Sequence, residues 1–164
     1  MSYSHILVPT DFSSLANEAL AHALEEARLH GSALTLLHVM QHPDTVSYFP
    51  TGSTQIRGPL ADEFGGTLPH AETPITGTVR RDYLDEALNQ LRDLIPITFD
   101  GKSEVMVESG HPADVIVRTA NDYDIDLIVM GTHGRSGLQH LLMGSVAEKV
   151  VRLAPCSVMV VREK

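Results

Sequence analysis

Two places in this sequence gather residues suited to holding a small polar ligand, the first of them an anion. The first is Gly131-Thr132-His133-Gly134-Arg135-Ser136-Gly137, followed shortly by Gly144-Ser145. Glycines at 131, 134, 137 and 144 remove side chains where backbone N–H groups could turn toward an anion, as in a nest. Ser145 then opens a helical segment, whose free N–H groups and positive dipole end favour phosphate. The charge pattern agrees: no Asp or Glu lies between Asp126 and Glu148, while His133, Arg135 and His140 do. A polyphosphate would meet little repulsion there. The second place is Pro9-Thr10-Asp11, which cuts the apolar run His5-Ile6-Leu7-Val8. Asp11 either caps a following helix with Ser13 or Ser14, or hydrogen-bonds a ribose or base. Ser145 has a similar alternative, because Ser145-Val146-Ala147-Glu148 has the form of a capping box. Spacing alone leaves both pairs of readings open.

Other chemistries find no matching pattern. No GxGxxG follows the first apolar run and no GxxxxGK[ST] occurs. Asp122, Asp124 and Asp126 imitate the start of an EF-hand, but Leu127 replaces its glycine and His133 its final glutamate, so the triplet reads as a solvated helix-to-strand turn. Gly134-Arg135-Ser136-Gly137 is not a GxSxG elbow, since Leu138 stands where the last glycine would be. The nine histidines form no HExxH and no Cys/His cluster, so no protein-held transition-metal site is expected. A divalent ion such as Mg2+, held mainly by ligand phosphates, suits the chain better. The single cysteine, Cys156, excludes an internal disulfide and reads as a small buried hydrophobe in a reducing compartment.

Hydrophobic period supplies the elements that must position these residues. His5 to Val8 suits a buried parallel strand. Ala16, Ala19, Leu20, Ala23, Leu24 and Ala27 form a helical stripe that stops at His30-Gly31, and Ala33 to Val39 is strand-like again. Residues 41–78 hold five of the nine prolines and five of the twelve glycines, and read as an irregular insertion. A short element inside it would fall at Tyr48-Phe49 or Leu60 to Phe64. Helical period returns from Thr78 to Ile95 and ends at Pro96; Glu104 to Glu108 alternates like a strand, and Gly110-His111-Pro112 leads into another helix. Asp126 to Gly131 is a buried strand, Ser145 to Ala154 a helix, and Cys156 to Val161 the final strand. The order implies an α/β fold: a single-domain, open, five-stranded parallel sheet with helices on both faces, occupying 1–164 with the insertion at about 41–78.

The chain has 164 residues, with twelve Lys plus Arg against twenty-one Asp plus Glu, a net charge of −9 (12 − 21). That length suits one domain able to bury roughly two-thirds of its unfolded surface. The acid excess argues against nucleic acid and anionic membrane as partners. The start, Met-Ser-Tyr-Ser-His, has no basic stretch before an apolar one, and no apolar run approaches the ~20 residues of a spanning helix, so the expected location is cytoplasmic.

Five segments together resemble the universal stress protein family: Ile6-Leu7-Val8-Pro9-Thr10-Asp11-Phe12-Ser13, Leu36-Leu37-His38-Val39, Ile128 to Gly137, Gly144 to Val150 and Ala154 to Val161. Gly131, Gly134, Gly144 and Ser145 meet the pattern G-x2-G-x9-G-[ST] of its ATP-binding branch at every position. The resemblance implies an adenine nucleotide hydrolase-like fold and a regulatory protein that binds ATP, or another adenine nucleotide, beyond the carboxyl ends of the strands. It implies that Asp11 meets the adenosine, with Pro9 and Thr10 lining that end and the backbone of Val39 against the adenine. Met130 and Gly131 would line the same crevice. Gly134, Gly144, Ser145 and Val146 would surround the phosphates, with Arg135 and Ser136 inside the same pattern. It also implies a homodimer through the final strand, where Val158-Met159-Val160-Val161 would otherwise leave an apolar edge. Phosphoryl transfer needs charge-stabilising cations and a water-orienting group. One Arg in the loop and His133 as the sole nearby base point to a sensor more than a catalyst. The alternatives are a slow ATPase or adenylyl-transferring enzyme, and a protein-interaction module that docks an unknown partner through residues 41–78.

Overall fold

The computed structural model describes residues 2–40, 74–133 and 143–162, with side chains in the second helix described from Asp82 onward. In chain order the elements are β1 (His5–Thr10), α1 (Ser14–His30), β2 (Ala33–Met40), α2 (Pro74–Leu94), β3 (Ser103–Ser109), α3 (Pro112–Asp122), β4 (Leu127–Gly131), α4 (Ser145–Leu153) and β5 (Ser157–Val161). All pairings are parallel, and the strand order is β3-β2-β1-β4-β5.

The near-continuous apolar character of the central strands has a direct cause. Right-handed crossovers put α1 and α2 on one face of the sheet, and reversing direction at β1 puts α3 and α4 on the other. A strand between two helical layers must be apolar on both sides. Ile6, Val8, Leu34, Leu36, Leu127 and Val129 accordingly enter the core under α1 and α2, while Leu7, Leu37, Ile128 and Met130 enter the one under α3 and α4. The α1 stripe read from the sequence is the buried face of that helix, which Gly31 closes in the left-handed region at φ 68°. Asp126 ties the chain together below the sheet: its carboxylate accepts the N–H groups of Ser4 and His5 at 2.9 and 3.2 Å. It is thus a clamp on the start of β1 and not part of a solvated turn.

Two boundaries differ from the sequence reading. α2 starts at Pro74, four residues before Thr78, because proline at the first helical position is favourable while the periodic signal marks only where an apolar stripe begins. The strand at the end of the chain starts at Ser157, leaving Cys156 just before it and partly buried. The proposed short elements at Tyr48-Phe49 and Leu60 to Phe64 lie outside the described residues.

Candidate functional site

Strand order reverses between β1 and β4, where a crevice opens beyond the carboxyl ends of a parallel sheet. Pro9, Thr10 and Asp11 come from the β1 side, Met130 and Gly131 from the β4 side, and Val39 from the adjoining end of β2. Val39, Met130 and Val146 all pack on the core under α3 and α4, which places apolar surface on that side of the crevice.

The turn from β1 to α1 is held by its own side chains. Thr10 Oγ1 accepts the N–H of Phe12 at 3.0 Å, Asp11 Oδ1 accepts that of Ser13 at 3.1 Å, and Ser13 Oγ accepts that of Ala16 at 3.2 Å. Ser13 is therefore the N-cap of α1, and Asp11 braces it from outside the helix. Phe12 sits at φ 65°, the left-handed region, which costs a residue with a Cβ roughly 1–2 kcal/mol. Such local strain persists only where surrounding contacts over-determine it, and it clusters at ligand clamps.

Across the crevice, the glycine-rich loop leaves and re-enters the fold at one residue. The Thr132 N–H donates to the Val161 carbonyl at 2.8 Å, and the Gly144 N–H donates to the Thr132 carbonyl at 2.8 Å. A Cβ on Gly144 would stand 2.9 Å from the Thr132 carbonyl oxygen, and one on Gly131 would stand 2.9 Å from Leu15 Cγ. Packing against a backbone oxygen thus requires Gly144, whatever else it does, whereas a side chain at Gly131 would require Leu15 to shift. Residues 134–142 lie outside the described residues, and with them Gly134, Arg135 and Ser136.

The capping-box reading of Ser145 is corrected. Gly144 is the N-cap of α4 and Ser145 its first helical residue. The first i→i+4 bond runs from the Glu148 N–H to the Gly144 carbonyl at 2.9 Å, which puts Glu148 one position too far along to complete a box. The N–H groups of Ser145, Val146 and Ala147 consequently have no intrahelical acceptor. The Ser145 hydroxyl is exposed and has no hydrogen-bond partner among the described residues. Free donors at a helix start suit an anion, although the first turn of this helix also carries Glu148. His133, at the base of the loop, has its Nδ1 2.9 Å from Thr132 Oγ1.

Two polar residues near this end escaped the sequence reading. His38 was passed over as part of an apolar strand, and its ring bonds the Thr10 carbonyl. Glu108 lies in a stretch that alternates in sequence, yet it is buried and its Oε2 accepts from Arg118 Nη2 at 2.6 Å. Only the helix α3 layer brings those two together; a ten-residue separation gives no local signal. No three His, Cys, Asp or Glu side chains converge as a metal site among the described residues.

A cavity of about 940 Å³ lies at the opposite pole of the sheet, lined by His5, Arg92, Glu104, Tyr123 and neighbouring apolar residues. Two of its polar residues are already engaged: the two His5 nitrogens bond the Tyr123 carbonyl and Thr35 Oγ1, and Arg92 bonds Asn89. The backbone donors left without intrahelical acceptors at the start of α4 favour the crevice instead. Away from both, a hydrogen bond from Lys149 holds the Asp114 carboxyl below the usual aspartate range, and burial raises the Cys156 thiol.

The sequence profile of the Universal stress protein family matches residues 2–63 and 68–162. The chain belongs to the universal stress protein family. Universal stress protein MJ0577 of Methanocaldococcus jannaschii is 31% identical over 99% of this chain and 96% of its own length, and MJ0531 of the same organism is 31% identical over 98% and 83%. The solved structure of MJ0577 superposes with a TM-score of 0.73 at 28% identity, covering 100% of this chain and 99% of that one. UspA of Lactobacillus plantarum superposes at 0.70 with 26% identity and 99% coverage of both chains. A universal stress protein solved in complex with cAMP has the same fold, at a TM-score of 0.63 and 21% identity over 99% of this chain and 98% of that one. The family profile runs into the 41–78 segment from both sides, leaving only 64–67 unmatched.

Proposed function

We propose that this universal stress protein is a regulatory nucleotide binder that holds ATP, or another adenine nucleotide, in the crevice between the ends of β1 and β4. The observation that carries the reading is the start of α4. It leaves three N–H groups without intrahelical acceptors and a Ser145 hydroxyl without a partner among the described residues, on the segment that follows the carboxyl end of β4, the strand beside β1. Pro9, Thr10 and Asp11 would meet the adenosine, with the Val39 backbone and Met130 beside the base. Gly131, Gly134, Gly144, Ser145 and Val146 would surround the phosphates, joined by Arg135 and Ser136, and Mg2+ would ride on the phosphate oxygens. That one universal stress protein of this fold was solved with cAMP supports an adenine nucleotide as the ligand class.

The protein reads as a sensor because the described part of the site supplies donors for binding and only His133 as a base. A slow ATPase would show divalent-dependent turnover abolished in His133→Ala; a sensor shows none above background. The apolar edge of β5, half-exposed at Val158, Met159 and Val160, supports a homodimer formed strand to strand. The test of function is to identify by mass spectrometry the nucleotide that copurifies and to titrate ATP, AMP and cAMP into stripped protein. Saturable binding of at least one is expected, and failure of all three rejects the reading.

A further inference from the structure

His38 is not among the residues assigned to the ligand above, yet it is built into their support. It is the register partner of Thr10, the last residue of β1. Leu37 and Val39 on either side of it pack under α3 and α4, so alternation turns His38 toward α1. There its Nδ1 lies 2.8 Å from the Thr10 carbonyl oxygen. A carbonyl only accepts, so Nδ1 carries the proton and donates. The ring also lies against Phe12, with centroids 4.6 Å apart and planes inclined by 40°. The bonds from Phe12 to Thr10 and from Ser13 to Asp11 span two residues each and fix only the internal shape of the turn. The side chain of His38 instead fastens that turn to the neighbouring strand, and its ring backs the residue held at φ 65°.

We infer that His38 is a positioning residue for the nucleoside half of the site, holding Thr10, Asp11 and Phe12 in the binding conformation from behind without touching ligand. This rests on the nucleotide reading. The experiment compares His38→Phe, which keeps a ring but loses the donor, with His38→Asn, whose amide nitrogen stands where Nδ1 stood. Adenosine and ATP should each bind about tenfold more weakly to His38→Phe, the scale of one lost hydrogen bond. Inorganic tripolyphosphate, which has no nucleoside, should bind as to wild type, and His38→Asn should recover most of the loss. Unchanged adenosine affinity in His38→Phe, or an equal loss for tripolyphosphate, overturns the inference. Hydrogen exchange on the unliganded proteins separates it from the nucleotide reading: the Phe12 and Ser13 amides should exchange faster in His38→Phe and not in His38→Asn. Unchanged exchange rejects the anchoring role even if nucleotide binds. Should His38→Phe fail to fold, His38→Gln, which carries its amide one methylene too far, is read in the same way.

Discussion

Asp11 and Ser13 are two residues apart and brace the same helix start, but only Asp11 stands where the nucleoside is proposed. Losing the Ser13 cap should cost about 1 kcal/mol of stability. Losing the bond from Ser13 N–H to Asp11 should cost about 0.5–1.5 kcal/mol. Urea denaturation should therefore find Ser13→Ala and Asp11→Ala similarly destabilised, while ATP titration finds affinity lowered roughly tenfold or more in Asp11→Ala alone. Equal affinity in the two would make Asp11 a purely structural brace. At the other end of the chain, burial keeps Cys156 protonated at neutral pH, so iodoacetamide should modify it more slowly in the folded protein than in urea. The type and place of Asp11 were legible because an acid after a buried strand has few uses. Its division of labour with Ser13 was not, since Asp11, Ser13 and Ser14 are all competent caps. His38 was hidden for a different reason: a polar aromatic in an apolar run reads the same whether it bonds a neighbouring strand or merely fills space.

Elements decide what the glycines do. A Cβ at Gly144 meets a backbone oxygen that is itself fixed by the Thr132 to Val161 bond, whereas one at Gly131 meets chiefly the side chain of Leu15. Gly144→Ala should therefore lose more stability than Gly131→Ala, by something on the order of 1–3 kcal/mol for the strained neck. Thermal melts of both variants check the ranking. Reduced ligand affinity in a Gly144 variant would accordingly reflect the loop neck as well as any phosphate contact, and Ser145→Ala is the cleaner probe. On the outer layer, Lys149 on α4 pairs with Asp114 on α3 at 2.5 Å. Because the pair lowers the folded pKa of Asp114, its contribution is complete above the ordinary aspartate value and is lost as pH falls through the lowered one. The stability gap between wild type and Lys149→Ala, small because the pair is exposed, should be present at neutral pH and close as the pH falls through the lowered Asp114 range. The helix stripes were readable because period 3.6 survives any tertiary context. The cap of α4 was not, since Gly144 and Ser145 both suit the position and only the Glu148 to Gly144 bond selects between them.

For the whole molecule, topology converts a sequence pattern into a site. The chain order of strands and helices gives the parallel sheet and its two helical layers, but the pairing of β1 with β4 is what sets the Asp11 turn opposite the start of α4. Strand order is a long-range property, limited by crossover handedness and chosen by packing, so the sequence reading stops at a five-stranded parallel sheet without its order. The net charge of −9 coexists with an acid-free stretch between Asp126 and Glu148, and it is that local distribution that suits an anionic ligand. The edge position of β5 bears on assembly: sedimentation should find twice the 17.9 kDa chain mass, and Val160→Lys should shift it toward monomer. The most direct measurement remains calorimetric titration of ATP into wild-type protein stripped of copurifying nucleotide. Saturable binding at one ATP per chain, competed by AMP and weakened in Ser145→Ala, is the predicted result. An absence of saturable heat with ATP, AMP and cAMP alike would contradict the account.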